Sequence, residues 1–348
     1  MTAVAAVRDP VPQSPPAPGR AGPAQLVSAT LLIFGPVAAF GWALARLWWD
    51  SFTWLDASIL VTGYVFTGFG VTIGYHRHLA HRALKLCRPL RIVVLVAASM
   101  SIQGSVLTWV GQHRKHHAFT EAGGDPHSPH RYGAGAWPML KGFVYAHVGW
   151  FFRTNPVDSE RWTPDLLADP DVMVISRLAL LWAALSLTIP FGIGYAVTGT
   201  PNGGLNAFLW GGVVRIGLLH HVTFCTNSVC HTVGRRPFDT ADRSTNVALL
   251  AVVSFGESWH NGHHAFPASA RHGLIRGQVD PSAVAISALE RLGWAWAVRQ
   301  PDPARIDQRR SPTQRGGQRP RSCPTAAPTP LLSARSPRRP RGSQPEHR

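Results

Sequence analysis

The sequence predicts an all-α integral membrane protein: a four-helix bundle carrying a helical cap on its cytosolic side. Three observations predict it. Only 15% of the 348 residues are charged, well below the usual quarter, while 45% are hydrophobic and 13 are Trp. Four apolar runs are long enough to cross a bilayer. Three groups of histidines sit at or beyond the ends of such runs rather than being scattered along the chain.

Taken in order, residues 1–24 hold Pro10, Pro12, Pro15, Pro16, Pro18 and Pro23 and read as a disordered tail, without the basic-then-apolar layout of a cleaved signal. A first span covers about 26–49, broken only by Arg46 near its end. After a polar turn at 50–53, a second span covers about 54–75 and delivers the chain to His76-Arg77-His78-Leu79-Ala80-His81. These two runs form a hairpin with both ends on one side. Residues 90–110 are also long and apolar, but Ser101, Gln103, Gly104 and Ser105 fall in the middle. If that stretch crossed the bilayer, the histidines before and after it would face opposite compartments. It is therefore expected to lie along the interface, or to dip in and return.

Residues 111–171 are mixed and polar, with a Trp/Phe-rich patch at 147–152, as for cytosolic structure resting on the interface. Residues 172–197, interrupted by Pro190, and 205–224 are the third and fourth spans. The short uncharged loop 198–204 between them fits the outside, and the Arg and Lys beside the histidines fit the inside. Arg215, within the fourth span, should face the bundle or lie near an end. A further helix is expected over 271–298, with Val284, Ile286, Leu289, Leu292 and Trp294 on its apolar face. From 299 the Pro/Arg/Ser/Gln composition cannot support a core. The predicted organisation is a membrane domain over 25–298 between disordered tails at 1–24 and 299–348, with no internal repeat of 20–50 residues.

The net charge of +16 resembles a nucleic-acid signal until it is located. Residues 301–348 hold 11 Arg against Asp302, Asp307 and Glu346, a balance of +8, so half the excess sits in the last 48 residues. A solvated basic tail near an anionic membrane surface explains this better, and no nucleic-acid-binding pattern is present. Cys87, Cys225, Cys230 and Cys323 show no C-x-x-C spacing and imply no disulfide framework.

His113, His116 and His117 share one spacing with His260, His263 and His264, three imidazoles at i, i+3 and i+4 on one helix face. Imidazole is the commonest metal ligand among side chains. The candidate ligands are His76, His81, His113, His116, His117, His231, His260, His263 and His264. Nine exceed what one ion accepts, so two ions with four or five imidazoles each are expected; imidazole suits iron, copper, nickel and zinc alike. His76 and His81 would point about 140° apart on a regular helix. They should then ligate different ions, or the helix should end between them. Asp125 and Glu257 could orient ligating imidazoles. His78 is a minor candidate, and His127, His130, His147, His220, His221 and His272 read as surface groups, anchors or supporting donors.

Five segments carry a resemblance: Gly74-Tyr75-His76-Arg77-x-x-x-His81; Trp109-x-x-x-His113-Arg114-x-His116-His117; Asp125-Pro126-His127; Asn227-Ser228-Val229-x-His231; and Gly256-Glu257-x-x-His260-Asn261-x-His263-His264. Over about 55–298 the chain resembles the membrane fatty acyl desaturases, with the Δ9, stearoyl-CoA desaturase-like branch the best match. That resemblance implies a di-iron centre held by the nine histidines, with Asn227 bound through a water. It also implies an acyl tunnel bent at Trp109, Thr223 and Gln103. The implied reaction introduces a cis double bond into a long saturated acyl chain, most simply an acyl-CoA, using O2 as co-substrate. Electrons would come from a separate ferredoxin, cytochrome b5 or flavoprotein reductase, since no flavin, nicotinamide or haem motif occurs. The metal site and both termini would lie on the cytosolic side. Gly111 and Gln112 replace an Arg-Asp pair of animal relatives, and Gly104 replaces an Asn. These departures leave a membrane lipid or an acyl-carrier-protein thioester open as carriers. A lipid-chain hydroxylase or oxygenase is the second reading, and a non-catalytic metal-binding membrane protein the third.

Overall fold

The computed structural model describes residues 19–47, 52–154 and 156–311. Four helices are long and apolar enough to cross a membrane: Pro23–Ala45, Trp54–Ala80, Ala179–Thr198 and Pro201–His231. The first and third turn most of their side chains outward, among them Leu31, Phe34, Trp42, Leu180 and Val197, as lipid-facing helices do. The second and fourth form the packed centre.

The second span starts on a capping box. The Thr53 hydroxyl accepts from the Asp56 N–H, and the Asp56 carboxylate accepts from the Thr53 N–H at 2.9 Å. Its last turns, Gly70–Ala80, are π-wound. Here it is crossed closely by the helix Arg88–Ser99: a Cβ on Gly70 would lie 2.3 Å from the Ala98 nitrogen, so only glycine allows this approach. The third and fourth spans are joined by Gly199, left-handed at φ 68°, and Thr200, a tighter connection than the expected loop 198–204. The third span is shorter than expected from 172–197. Asp169 caps a separate helix, Pro170–Arg177, which ends before the span begins at Ala179.

The apolar stretch 90–110 does not cross. The helix Arg88–Ser99 stops in a turn where Ile102 (φ 59°) and Gly104 (φ 106°) are left-handed. The Ser105 hydroxyl then accepts from the Thr108 N–H and caps the returning helix Val106–Phe119. Arg215 is 2% exposed and faces the bundle.

Two expectations are corrected. Over 271–298 only Pro281–Arg291 is helical, and Val284, Leu292 and Trp294 are exposed while Ser282, Ala283 and Ile286 are buried. The Asp280 carboxylate caps this helix and also accepts from the His272 and Gly273 N–H groups, which holds the preceding residues as a loop. Ala295–Trp296 instead pairs with Lys85–Leu86 as a short antiparallel ladder. The folded part also extends past both expected boundaries. Gly19–Arg20 pairs with Arg153–Thr154. The Asp302-capped helix Pro303–Gln308 packs Ile306 beside Phe238 and Phe266, and the Ser311 N–H donates to Pro237. The remainder of the expected tails, 1–18 and 312–348, lies outside the described residues.

Candidate metal centre

The π-wound end of the second span answers the problem posed by His76 and His81. An α-helix would set them on different faces, but π winding closes an i→i+5 hydrogen bond from the His81 N–H to the His76 carbonyl (3.0 Å). The rings then lie 4.8 Å apart, on the same side. The regular turn does end at Ala80, where the Arg114 guanidinium donates to the Leu79 and Ala80 carbonyls. These bonds tie the returning helix to the end of the span, and Arg114 also pairs with Asp165 on the short helix Pro164–Leu167.

All nine candidate histidines converge, in two groups. His76, His81, His113, His117 and His263 form one; His116, His231, His260 and His264 form the other; within each, the donor atoms lie within 4.8 Å of one another. Each His-rich helix contributes to both groups. Val106–Phe119 sends His113 and His117 to the first and His116 to the second. His260–Ala265 sends His263 to the first and the i, i+4 pair His260 and His264 to the second. In the first group Nε2–Nε2 separations are 2.7 Å (His81–His113), 2.9 Å (His117–His263) and 3.2 Å (His76–His263). In the second, His260 Nε2 lies 3.0 Å from both His231 and His264 Nε2.

Carboxylates grip several rings from behind. Nδ1 of His231 meets Glu121 (3.1 Å), His264 meets Asp242 (2.8 Å), His116 meets Asp125 (3.0 Å) and His76 meets Glu257 (2.5 Å). Each ring donating from Nδ1 turns a bare Nε2 lone pair inward. In the second group three of four rings are held this way, and His260 has one Nε2 proton at most to offer two neighbours. His116 Nε2 is buried with no partner at all. Lone pairs aimed at one another, backed by carboxylates, call for cations between them; the donor set fits two metal ions.

Burial, then neighbouring imidazoles, pushes His113, His117, His260 and His263 well below the ordinary imidazole range, which keeps them neutral and able to ligate. Burial alone would raise the Asp125 carboxyl, but the His116 ring beside it reverses this and holds it far down. His116 itself moves up, because Asp125 outweighs burial.

The residues expected at a bend also meet. The Trp109 indole donates to Gln103 Oε1 (3.1 Å), and Gln103 Nε2 donates to Thr223 (3.0 Å). This bridge stands where an apolar cavity lined by Val71, Leu219, Val222 and Phe255 adjoins a second one lined by Gln112, Trp150 and Phe151. Trp109, His113, Thr223 and Asn227 belong to both walls. Asn227 thus sits beside both donor groups.

Other histidines take supporting places. His78 joins neither group and bonds the Leu84 carbonyl. His130 donates to the His231 carbonyl, and His147 and His221 meet at 3.1 Å. His127 and His272 are buried against His116 and His263, and are not surface groups. Glu121 and Asp242 were not among the predicted orienting groups. Glu121 lies just past the helix Val106–Phe119, left-handed at φ 61°, and Asp242 sits in a loop; no motif marks either.

Known proteins carry the same pattern. The sequence profile of the fatty acid desaturase family matches residues 51–276. A hex-5-enoyl-[acyl-carrier protein] acetylenase of Moorena producens is 35% identical over 77% of this chain and 84% of its own. Delta-9 acyl-lipid desaturase 1 of Arabidopsis thaliana is 37% identical over 72% and 77%. The sn-1 stearoyl-lipid 9-desaturase of Anabaena variabilis is 34% identical over 73% and 87%. With the histidine clusters at the mouth of a four-span bundle and likeness running through most of each relative's length, the chain belongs to the fatty acid desaturase family.

Proposed function

We propose that the chain inserts a cis double bond at Δ9 into a long saturated acyl chain, consuming O2 and two electrons per turnover. The observation that carries this reading is the Trp109–Gln103–Thr223 bridge, whose Trp109 and Thr223 ends line an apolar cavity that also reaches His76, His113, His116 and His260. In this reading His76, His81, His113, His117 and His263 hold one iron, and His116, His231, His260 and His264 hold the other. Asn227 holds a water beside them. When bound, the iron pair supplies the oxidising power that unactivated C–H bonds demand.

The protein's share is position. Val71, Leu219, Val222 and Phe255 keep water from the chain. Gln103, Trp109 and Thr223 satisfy one another's polar atoms, so together they offer the methylenes a surface that needs no solvent. A bend fixed by side chains from two elements selects which CH2–CH2 pair, here C9–C10, lies opposite the histidines. The metal site and termini are cytosolic in this reading, and exposed Arg235, Arg236 and Arg243 on the cap suit an acidic electron donor such as a ferredoxin, cytochrome b5 or flavoprotein reductase.

The carrier is coenzyme A in the first reading. A membrane lipid is the second, favoured by a groove lined by Leu31, Leu32, Gly35 and Pro36 of the first span, on the flank where lipid tails lie. It is favoured also at Gly111, where a Cβ would meet Val157 at 2.3 Å and a charged side chain for a nucleotide does not fit. Expression in a host deficient in unsaturated fatty acids, followed by mass spectrometry with double-bond localisation, tests the proposal. A new Δ9 monoene supports it. A hydroxylated chain, or no new double bond, overturns it. Stearoyl-CoA and stearoyl-lipid vesicles, offered separately to the purified enzyme with a reductant, distinguish the carriers.

A further inference from the structure

Arg215 is a buried arginine inside a membrane span for which, among the described residues, no carboxylate partner is found. Its Nε donates to the Gly211 carbonyl (2.9 Å), Nη1 to Thr67 (3.3 Å), and Nη2 to both the carbonyl (3.1 Å) and the hydroxyl (2.7 Å) of Ser186. Gly211 lies in the π-wound stretch Phe208–Val214. A charge in that place is expensive and marks a function by default.

The Ser186 hydroxyl passes the contact on: it donates to the Met100 carbonyl at 2.5 Å. One residue further, the Ser101 carbonyl accepts from His220 Nε2 at 2.7 Å. Both carbonyls belong to the tight turn between Arg88–Ser99 and Val106–Phe119, whose Ile102 is held in the left-handed region and whose next residue is Gln103. A β-branched residue at φ 59° persists only when its surroundings over-determine it. The fourth span thus reaches this turn at three points: Arg215 through Ser186, His220 directly, and Thr223 through the Gln103 amide.

We propose that Arg215 and His220 are positioning residues that set the place of the double bond by clamping the 100–103 backbone, and with it Gln103, against the acyl chain. The inference rests on Gln103, Trp109 and Thr223 forming the bend. Arg215 lies away from both cavities, and His220, whose ring shares the wall of the second one with Gln103 and Thr223, acts through its hold on the Ser101 carbonyl; each fixes the register in which methylenes slide past the bend. A turn released by a fraction of one C–C step admits the neighbouring methylene pair.

The test is positional analysis of the monoenes made from stearoyl substrate by the full-length enzyme in membranes. In His220→Leu, which keeps the volume and removes the donor, the off-register isomers should rise about tenfold relative to the main one, a discrimination loss of ~1.4 kcal/mol. His220→Gln, which restores a donor, should recover most of the original distribution. Ser186→Ala, which removes a single hydroxyl between Arg215 and Met100, should broaden the distribution in the same direction, and it remains informative where Arg215→Met fails to fold. A role confined to stability would lower the amount of enzyme and leave the isomer ratio alone. An unchanged ratio in both His220→Leu and Ser186→Ala overturns the clamp. Wild-type enzyme that makes no double bond overturns the desaturase reading itself.

Discussion

The two donor groups are built to different standards. In the second group, His116, His231 and His264 are each gripped at Nδ1 by a carboxylate, and all four rings are buried. In the first, among the described residues a carboxylate meets Nδ1 of His76 alone, and His81, His113 and His117 are only half buried. His81 and His117 line an opening with Arg114 and Thr120, and His264 of the second group reaches the same wall together with Asp242. Rings whose orientation is fixed beforehand lose little freedom on binding an ion, whereas rings free to turn can adjust their hold. The second group is the anchored half of the pair, and the first is the half freer to adjust.

The largest expected effect tests whether the halves work as one. His263→Ala removes a ligand of the first group from the helix that also carries His260 and His264; activity should fall to background, and bound iron measured by metal analysis should drop. Full activity in this variant would sink the two-ion reading. Removing one grip comes next. Asp242→Asn takes the charge from behind His264 and should weaken metal retention or activity about 10–100-fold; a titration showing unchanged affinity would mean that the carboxylates are ornamental to the anchored half. Chelation should then separate the halves in time: one iron per chain leaves quickly, from the first group, and the second leaves slowly. Single-phase release of both would erase the contrast.

The smallest effect concerns the iron-free protein. Burial holds His264 down at about 4 against the upward pull of Asp242, while an unfolded histidine titrates near ~6.5. Below pH 6.5 the unfolded chain takes up a proton that the fold refuses, so stability should decline from there to about pH 4 and change little more below it through this group. The difference in Tm between the wild type and His264→Gln, measured across that window so that the other buried imidazoles cancel, checks the sign; a difference independent of pH would mean that His264 titrates freely when folded.

Much of the site was legible in the chain because ligand chemistry leaves local marks. The spacing shared by His113-x-x-His116-His117 and His260-x-x-His263-His264 places three rings on one helical face, and both triads reach the centre. The need for the histidines on either side of 90–110 to face one compartment likewise predicted a stretch that lies along the interface or turns back. Less legible were features whose cause lies elsewhere in the chain. The 271–298 pattern reads as one helix, yet Asp280 breaks it by binding the His272 and Gly273 amides. Residues 303–308 read as tail, yet they fold because Ile306 finds Phe238 and Phe266.

By itself the sequence determined the four spans and the nine imidazoles, since hydrophobic length and side-chain chemistry are properties of a segment alone. Only the tertiary structure decided how the nine divide into five and four, that His76 and His81 share a side, and that Glu121 and Asp242 stand behind the rings. The physical reason is that a π-wound turn is stabilised by the helix packed across it at Gly70, and a carboxylate can orient an imidazole 110 residues away only after the fold brings them to 3.1 Å.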